Sequence, residues 1–351
     1  MSEKRPLRLV GSSAVPAIAD ADQIPTMRST AMKLIFSLTA CAAVIYAPLD
    51  DARAADSDRR PIEWLQQSKR VVFLGDSITF SGQYIAEVEA WMLTQGWKKV
   101  PTVIDVGLPS ETVSGLSEDG HAGGQFPRPV LSERLQRVLA VTTPDLVFAC
   151  YGMNCGIYLP FAEERFQKYQ AGIGELKRQV EEAGAKLVLI TPPYHDDLRA
   201  KRAFSYNEVL SRYSQWLLSQ REAGWVVIDL NGPMTDEVAM RRKSLPEFTF
   251  QPDAVHPNAE GQWFIARQLI TEFGDESAAK AESPEALLSG KGISPDLLKL
   301  VQQRMTLRRD AYLSAAGHKR PGVKAGLPVP EAEAKARELT MQIERSIQAG
   351  K

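Results

Sequence analysis

Short runs of almost wholly apolar residues recur along the middle of the chain and alternate with stretches where apolar side chains return every three or four positions. The first kind falls at residues 71–74, 102–106, 146–150, 187–190 and 226–230. It predicts five strands buried on both faces, because a strand with one wet face would alternate apolar and polar residues. The second kind predicts helices that each lay one stripe on the sheet. Phe166, Tyr169, Ile173, Leu176 and Val180 share one such face, and Tyr206, Val209, Tyr213, Trp216 and Leu217 share another. A last helix of this set is expected over about residues 260–271, with Trp263, Phe264 and Leu269 turned inward. Strands alternating with amphipathic helices are βα units, so the expected fold class is α/β with a five-stranded parallel sheet.

Both flanks depart from this pattern. Residues 34–47 form the longest apolar run, too short for a comfortable membrane span and preceded by Arg28 and Lys33, which is the layout of a secretory signal. Ala52-Arg53-Ala54 supplies a small-x-small cleavage site, so residues 1–54 are expected to be a targeting region and the mature chain to begin near Ala55, in the periplasm or outside the cell. Leu38-Thr39-Ala40-Cys41 resembles a lipobox, but the apolar run continues past Cys41, which favours simple cleavage over lipid anchoring there. Residues 1–26 carry no periodic pattern, as an upstream mis-start with Met27 or Met32 as the true start would explain. The main domain is expected over 55–274. Beyond it, over 275–351, Ala, Glu, Lys and Ser dominate. Ser294-Pro295 starts one helix, and after a Gly/Pro cluster Ala332, Ala336, Leu339, Ile343 and Ile347 mark the face of another.

Composition narrows the partners. Forty-two basic against 43 acidic residues leave a formal charge of -1, no field for holding nucleic acid or anionic lipid. Three cysteines without CxxC or Cys/His spacing argue against a disulfide framework and against structural zinc. Cys150 and Cys155 could bond in an oxidising compartment, although Cys150 closes an apolar strand and reads as a buried thiol.

In a parallel sheet, ligands bind outside the carboxyl ends of the strands, and chemically useful residues collect there. Gly75-Asp76-Ser77 follows the first strand, Gly107 the second and Gly152-Met153-Asn154 the third, while a late loop supplies Asp253-Ala254-Val255-His256-Pro257. Acyl transfer needs a nucleophile, a base, a group that fixes the base's tautomer, and donors for the oxyanion. Ser77, His256 and Asp253 fit the first three roles, provided the loop makes one turn so that Asp253 reaches the far ring nitrogen. The N–H of Ser77, the N–H of Gly107 and the side-chain amide of Asn154 are the expected oxyanion donors. Asp76 is expected to cap the turn.

Those four blocks, in this order and covering about residues 70–273, resemble the SGNH hydrolases, also called GDSL esterases and lipases. The resemblance implies a flavodoxin-like three-layer α/β/α sandwich with strand order 2-1-3-4-5, and ester hydrolysis without metal or other cofactor. It assigns the nucleophile to Ser77, the acid–base pair to Asp253 and His256, and the oxyanion donors to Ser77, Gly107 and Asn154. Cys155 stands where the third block usually has Asp, so altered packing of that loop is expected. Segments 110–115 and 120–124 look like exported bacterial carbohydrate esterases. The expected substrate is therefore a small or carbohydrate ester carrying a short acyl group such as acetyl.

Three other readings compete. A lysophospholipase or lipase-like acylhydrolase would use the same site, and a non-catalytic carbohydrate-binding protein would keep the fold. A metal-dependent phosphoesterase would use Asp76, His195, Asp253 and His256. Against the last, His195-Asp196-Asp197 matches no ligand spacing and reads as a solvated, substrate-facing loop. His121 reads as a loop residue at the cleft, His318 as a surface residue, and Arg308-Arg309 as a solvated helix face.

Overall fold

The protein is described by a computed structural model that covers residues 61–349; the expected leader, with Cys41 and the Ala52-Arg53-Ala54 site, lies outside the described residues. In chain order the elements are α1 (Pro61–Gln67), β1 (Arg70–Gly75), α2 (Ser77–Ser81), α3 (Gln83–Leu93), β2 (Thr102–Asp105), α4 (Leu135–Thr142), β3 (Leu146–Cys150), α5 (Glu163–Glu182) and β4 (Lys186–Ile190). There follow α6 (Asp197–Ala200), α7 (Tyr206–Ser219), β5 (Val226–Ile228), α8 (Asn231–Arg241) and α9 (Ala259–Glu272). Four further helices close the chain: α10 (Glu276–Ala279), α11 (Pro284–Ser289), α12 (Asp296–Ala316) and α13 (Val329–Ala349).

The five strands form one sheet in the order β2-β1-β3-β4-β5, every pairing parallel. This is the order expected from the family resemblance. Val71 is paired with Val103 on one side and Leu146 on the other, which brings the ends of β1 and β3 level. Every residue of β3 is buried, as the unbroken apolar run predicted. β5 stops at Ile228 rather than Leu230 because the N–H groups of Leu230 and Asn231 turn to Thr191 Oγ1, at 2.7 and 2.9 Å, and leave the ladder. α3 packs on α9, while α5 and α7 lie against β4 and β5.

The C-terminal helices are built into this body. α12 runs along α3, across the edge strand β2 and onto α4, so the unpaired side of β2 is covered. Arg304 reaches the buried Glu89 of α3 at 2.9 Å. Arg308 and Arg309, expected on a solvated face, are instead enclosed by neighbouring elements: Arg308 is buried against Glu333 of α13, at 3.1 Å, and Arg309 sits with its guanidinium 4.1 Å from the centre of the Phe80 ring. Arg309 also donates to the Phe80 carbonyl at 2.7 Å, at the end of α2. The helix stripe could not reveal this, because the partners lie far away in sequence. Cys150 and Cys155 are buried free thiols.

Three carboxyls in or beside α2, α3 and β2 are buried, and burial pushes each above the ordinary carboxylate range: Asp76 to about 6, Asp105 to about 7 and Glu87 to about 8. Each therefore holds its proton to higher pH in the folded than in the unfolded chain. The native state binds more protons over that window, and stability falls as pH rises from about 5 to about 8. A thermal-denaturation series should show the midpoint dropping across that range, with a shallower drop in Glu87→Gln. Identical slopes for wild type and Glu87→Gln would contradict the burial of Glu87.

Candidate active site

The strand-to-helix turn after β1 is the first component. A Cβ on Gly75 would overlap Thr79 Oγ1 and lie 2.9 Å from the Cys150 carbonyl, so only glycine lets the chain pass straight from the sheet into α2. Asp76 caps α2, its Oδ1 accepting the N–H of Ile78 at 3.0 Å, which is the role the sequence suggested. Ser77 follows as the first helical residue, and its N–H has no acceptor within so short a helix.

The loop before α9 supplies the second component. Asp253 Oδ1 accepts the N–H groups of Val255 and His256, at 3.0 and 2.7 Å, folding the segment into the single turn that was expected. Ala254 takes a left-handed φ of 76° inside that turn. Asp253 Oδ2 then meets His256 Nδ1 at 2.7 Å, and His256 Nε2 lies 2.8 Å from Ser77 Oγ. Residues 179 positions apart thus form one continuous line of hydrogen bonds. Burial raises the Asp253 carboxyl, but the His256 N–H, the His256 ring and the Val255 N–H outweigh it and hold the group below its ordinary range.

Asn154, beyond β3, is the third. Gly152 has φ 151°, and a Cβ there would lie 2.7 Å from Pro192 Cβ and Cγ. The amide of Asn154 is 4% exposed and oriented by donors: its Oδ1 accepts from Arg128 Nη1 at 2.9 Å and from the Tyr158 hydroxyl at 3.0 Å. Its Nδ2 makes only long contacts, 3.3 Å each, to Asp76 Oδ2 and the Glu111 carbonyl. With Cys155 in place of the usual Asp, the loop is tied instead by Tyr206 to the Met153 carbonyl, at 2.8 Å, and by Ser114 to the Cys155 carbonyl, at 3.1 Å.

Gly107 departs from expectation. Its N–H donates to Asp105 Oδ1 at 2.8 Å, so it is engaged inside the protein and not turned toward Ser77. Its lack of a side chain serves packing, since a Cβ would lie 2.5 Å from Phe80 N and 2.9 Å from Thr79 C. Three residues on, Ser110 has φ 69°, and its N–H has no partner among the described residues. The Ser110 segment borders Asn154, because Asn154 Nδ2 contacts the Glu111 carbonyl while Arg128 Nη1 reaches both the Ser110 carbonyl, at 3.4 Å, and Asn154 Oδ1. No residue-type signal pointed to Ser110, since a serine in the left-handed region looks like any other serine in sequence.

The remaining histidines resolve differently. His195 and Asp196, expected on a solvated loop, are 1% and 0% exposed. His195 Nδ1 lies 2.8 Å from Asp197 Oδ1, and Asp196 Oδ2 accepts from Arg242 at 2.6 Å and from Thr249. The Asp196 N–H donates to the Ala254 carbonyl at 3.0 Å, so this buried turn braces the Asp253–His256 loop from behind. His121 pairs with Glu118 at 3.3 Å and meets the Phe126 ring edge-on. His318 is not a free surface residue: it is half-buried, and its Nδ1 is enclosed without a partner among the described residues.

Among solved structures, the chain is similar to a gut microbial diltiazem-metabolizing enzyme, with 21% identity over 59% of this chain and 47% of that one and a TM-score of 0.44; it thus spans about half that enzyme's length. It is similar to Axe2, an acetylxylan esterase from Geobacillus stearothermophilus, with 21% identity over 59% of this chain and 94% of that one and a TM-score of 0.42. It is also similar to LAE5, an alpha/beta hydrolase enzyme from the metagenome of Lake Arreo in Spain, with 18% identity over 60% of this chain and 98% of that one and a TM-score of 0.45. No curated protein matches it in sequence. Residues 73–264, more than half of the chain, match the GDSL-like Lipase/Acylhydrolase family, and the protein is therefore a member of that family and a carboxylic ester hydrolase.

Proposed function

We propose that the protein is a serine esterase that removes short acyl groups, acetyl above all, from carbohydrate or other small esters through an acyl-enzyme on Ser77. The observation that carries this reading is the line Ser77 Oγ, His256 Nε2, His256 Nδ1, Asp253 Oδ2, with heavy-atom separations of 2.8 and 2.7 Å at its two hydrogen bonds. Ser77 Oγ attacks the ester carbonyl carbon while His256 Nε2 takes its proton; Asp253 keeps the other ring proton on Nδ1 and offsets the charge that the ring acquires. The negative charge on the former carbonyl oxygen meets the Ser77 N–H, the Ser110 N–H and Asn154 Nδ2. Collapse expels the alcohol, which leaves with the proton from His256. Water, deprotonated by the same ring, then cleaves the acyl-serine and releases the carboxylic acid.

Exposure supports a short acyl group. The side chains of His256 and Asp253 are 51% and 58% exposed, so a long hydrocarbon chain beside them would stay largely in water and forgo about 0.8 kcal/mol for each methylene. Neutral overall charge suits an uncharged carbohydrate.

Incubation with a fluorophosphonate, followed by peptide mass analysis, should place one adduct on Ser77. A p-nitrophenyl ester series together with acetylated oligosaccharides should show kcat/KM highest for acetyl and unchanged by EDTA. A maximum at long acyl chains would turn the reading toward a lysophospholipase or lipase, and absence of both adduct and turnover would remove it.

A further inference from the structure

We propose that Arg128 is a positioning residue for ester cleavage: it fixes the Asn154 amide so that its N–H bonds, and not its carbonyl, face the developing oxyanion. The inference rests on the serine-esterase reading above and concerns a residue outside all four motif blocks.

An asparagine amide can sit either way round, and only one orientation offers donors to an anion. In this site the orientation is set from behind. Arg128 Nη1 donates to Asn154 Oδ1 at 2.9 Å, and because a guanidinium has no acceptor, the amide oxygen must be the atom that faces it. The same Nη1 lies 3.4 Å from the Ser110 carbonyl, so one group ties the Ser110 segment to the Asn154 loop. Arg128 is itself held. Its Nε and Nη2 are paired with the two carboxylate oxygens of Glu118, both at 2.6 Å, its N–H donates to Ser117 Oγ at 3.0 Å, and its guanidinium lies 5.3 Å from the centre of the Tyr158 ring. Tyr158, the second donor to Asn154 Oδ1, follows Ile157 in a run of two left-handed residues, φ 48° and 55°.

Arg128 is 7% exposed, where its charge is poorly screened by water. A cation bonded to the amide oxygen draws electrons from the amide nitrogen, so its N–H becomes a stronger donor toward an oxyanion. Glu118 alone does not account for this placement. Its side chain is 28% exposed and the ion pair could form in water without any contact to Asn154. Lysine would not replace arginine, since a single ammonium cannot span Glu118 and Asn154 as the planar fork does.

The test uses the full chain with p-nitrophenyl acetate as substrate and phenylboronic acid as a tetrahedral mimic bound through Ser77. Arg128→Gln should lower kcat about 10- to 100-fold, less than the 10²–10³ typical of deleting an oxyanion donor, with KM within about threefold. The inhibition constant of phenylboronic acid should rise by the same factor as kcat/KM falls. Arg128→Lys keeps the charge beside Glu118 and should show the same parallel loss; it decides the matter if the glutamine variant does not fold. A folded variant that retains kcat, or that loses kcat while binding the boronate unchanged, overturns the proposal. Wild-type protein that neither turns over p-nitrophenyl acetate nor binds the boronate overturns instead the serine-esterase reading on which it rests.

Discussion

Replacing Ser77 by alanine is expected to lower kcat for p-nitrophenyl acetate by roughly 10³- to 10⁶-fold, with thermal stability close to wild type. Among the described residues the Oγ of Ser77 meets only His256 Nε2, and the turn around it is fixed by Gly75 and by the Asp76 cap. His256→Ala should cost about as much. The double variant should be scarcely worse than either single one, because nucleophile and base act as one unit. Asp253→Asn is expected to cost about 10⁴-fold, since the amide oxygen would keep the two backbone N–H groups and the amide N–H would donate to His256 Nδ1, leaving the ring proton on Nε2, where it cannot take the Ser77 proton. Asp253 also accepts two backbone N–H groups of its own loop, so Asp253→Ala should lower stability as well as rate. Steady-state rates with active-site titration would check the series. A Ser77→Ala variant retaining a tenth of wild-type turnover would rule out the covalent mechanism.

The second large effect concerns stability. Glu111 and Arg134 are 0% and 1% exposed and form a two-pronged pair, 2.6 Å between Nε and Oε1 and 2.7 Å between Nη2 and Oε2. The Tyr151 hydroxyl donates to Glu111 at 2.6 Å, and Arg134 reaches the Val106 carbonyl at 2.8 Å. Burial alone would pull the arginine down, but the Glu111 carboxylate outweighs it and holds Arg134 above its ordinary range. Removing one partner strands the other charge in an apolar interior. Glu111→Ala or Arg134→Met is therefore expected to lower unfolding free energy by about 3–5 kcal/mol. The double change Glu111→Leu/Arg134→Met should recover much of that loss, because no unpaired charge is left. Denaturant midpoints would measure both. Full additivity of the single losses would mean the two groups are not coupled. The Glu111 carbonyl contacts Asn154 Nδ2, so the single variants should also lose activity under conditions where they remain folded.

Both parts of the Ser77–His256–Asp253 line were legible because each is encoded locally. The Gly75-Asp76-Ser77 turn follows an apolar strand, and Asp253 to His256 is a three-residue interval that closes in one turn. Gly107 shows where local reading fails. A glycine after the second strand fits both an oxyanion donor and a close packing contact, and the choice fell to Asp105, whose buried carboxylate takes the N–H. Arg128 and Ser110 carried no recognisable pattern, although they surround Asn154.

Sequence alone determined the five buried strands and the helices that cover them, and it singled out Ser77, Asn154, Asp253 and His256 as candidates, because apolar periodicity and short intervals are properties of neighbouring residues. Tertiary structure alone decided which polar groups are solvated. His195, Asp196, Arg308 and Arg309 look like surface residues until Tyr206, Thr249, Arg242, Glu333 and Phe80 are brought against them. Likewise, only the fold brings Arg128 to Asn154 across 26 residues and Arg309 to Phe80 across 229. The reason is physical: burial and hydrogen bonding of a polar side chain depend on what the rest of the chain places beside it, and that is not written in its own segment.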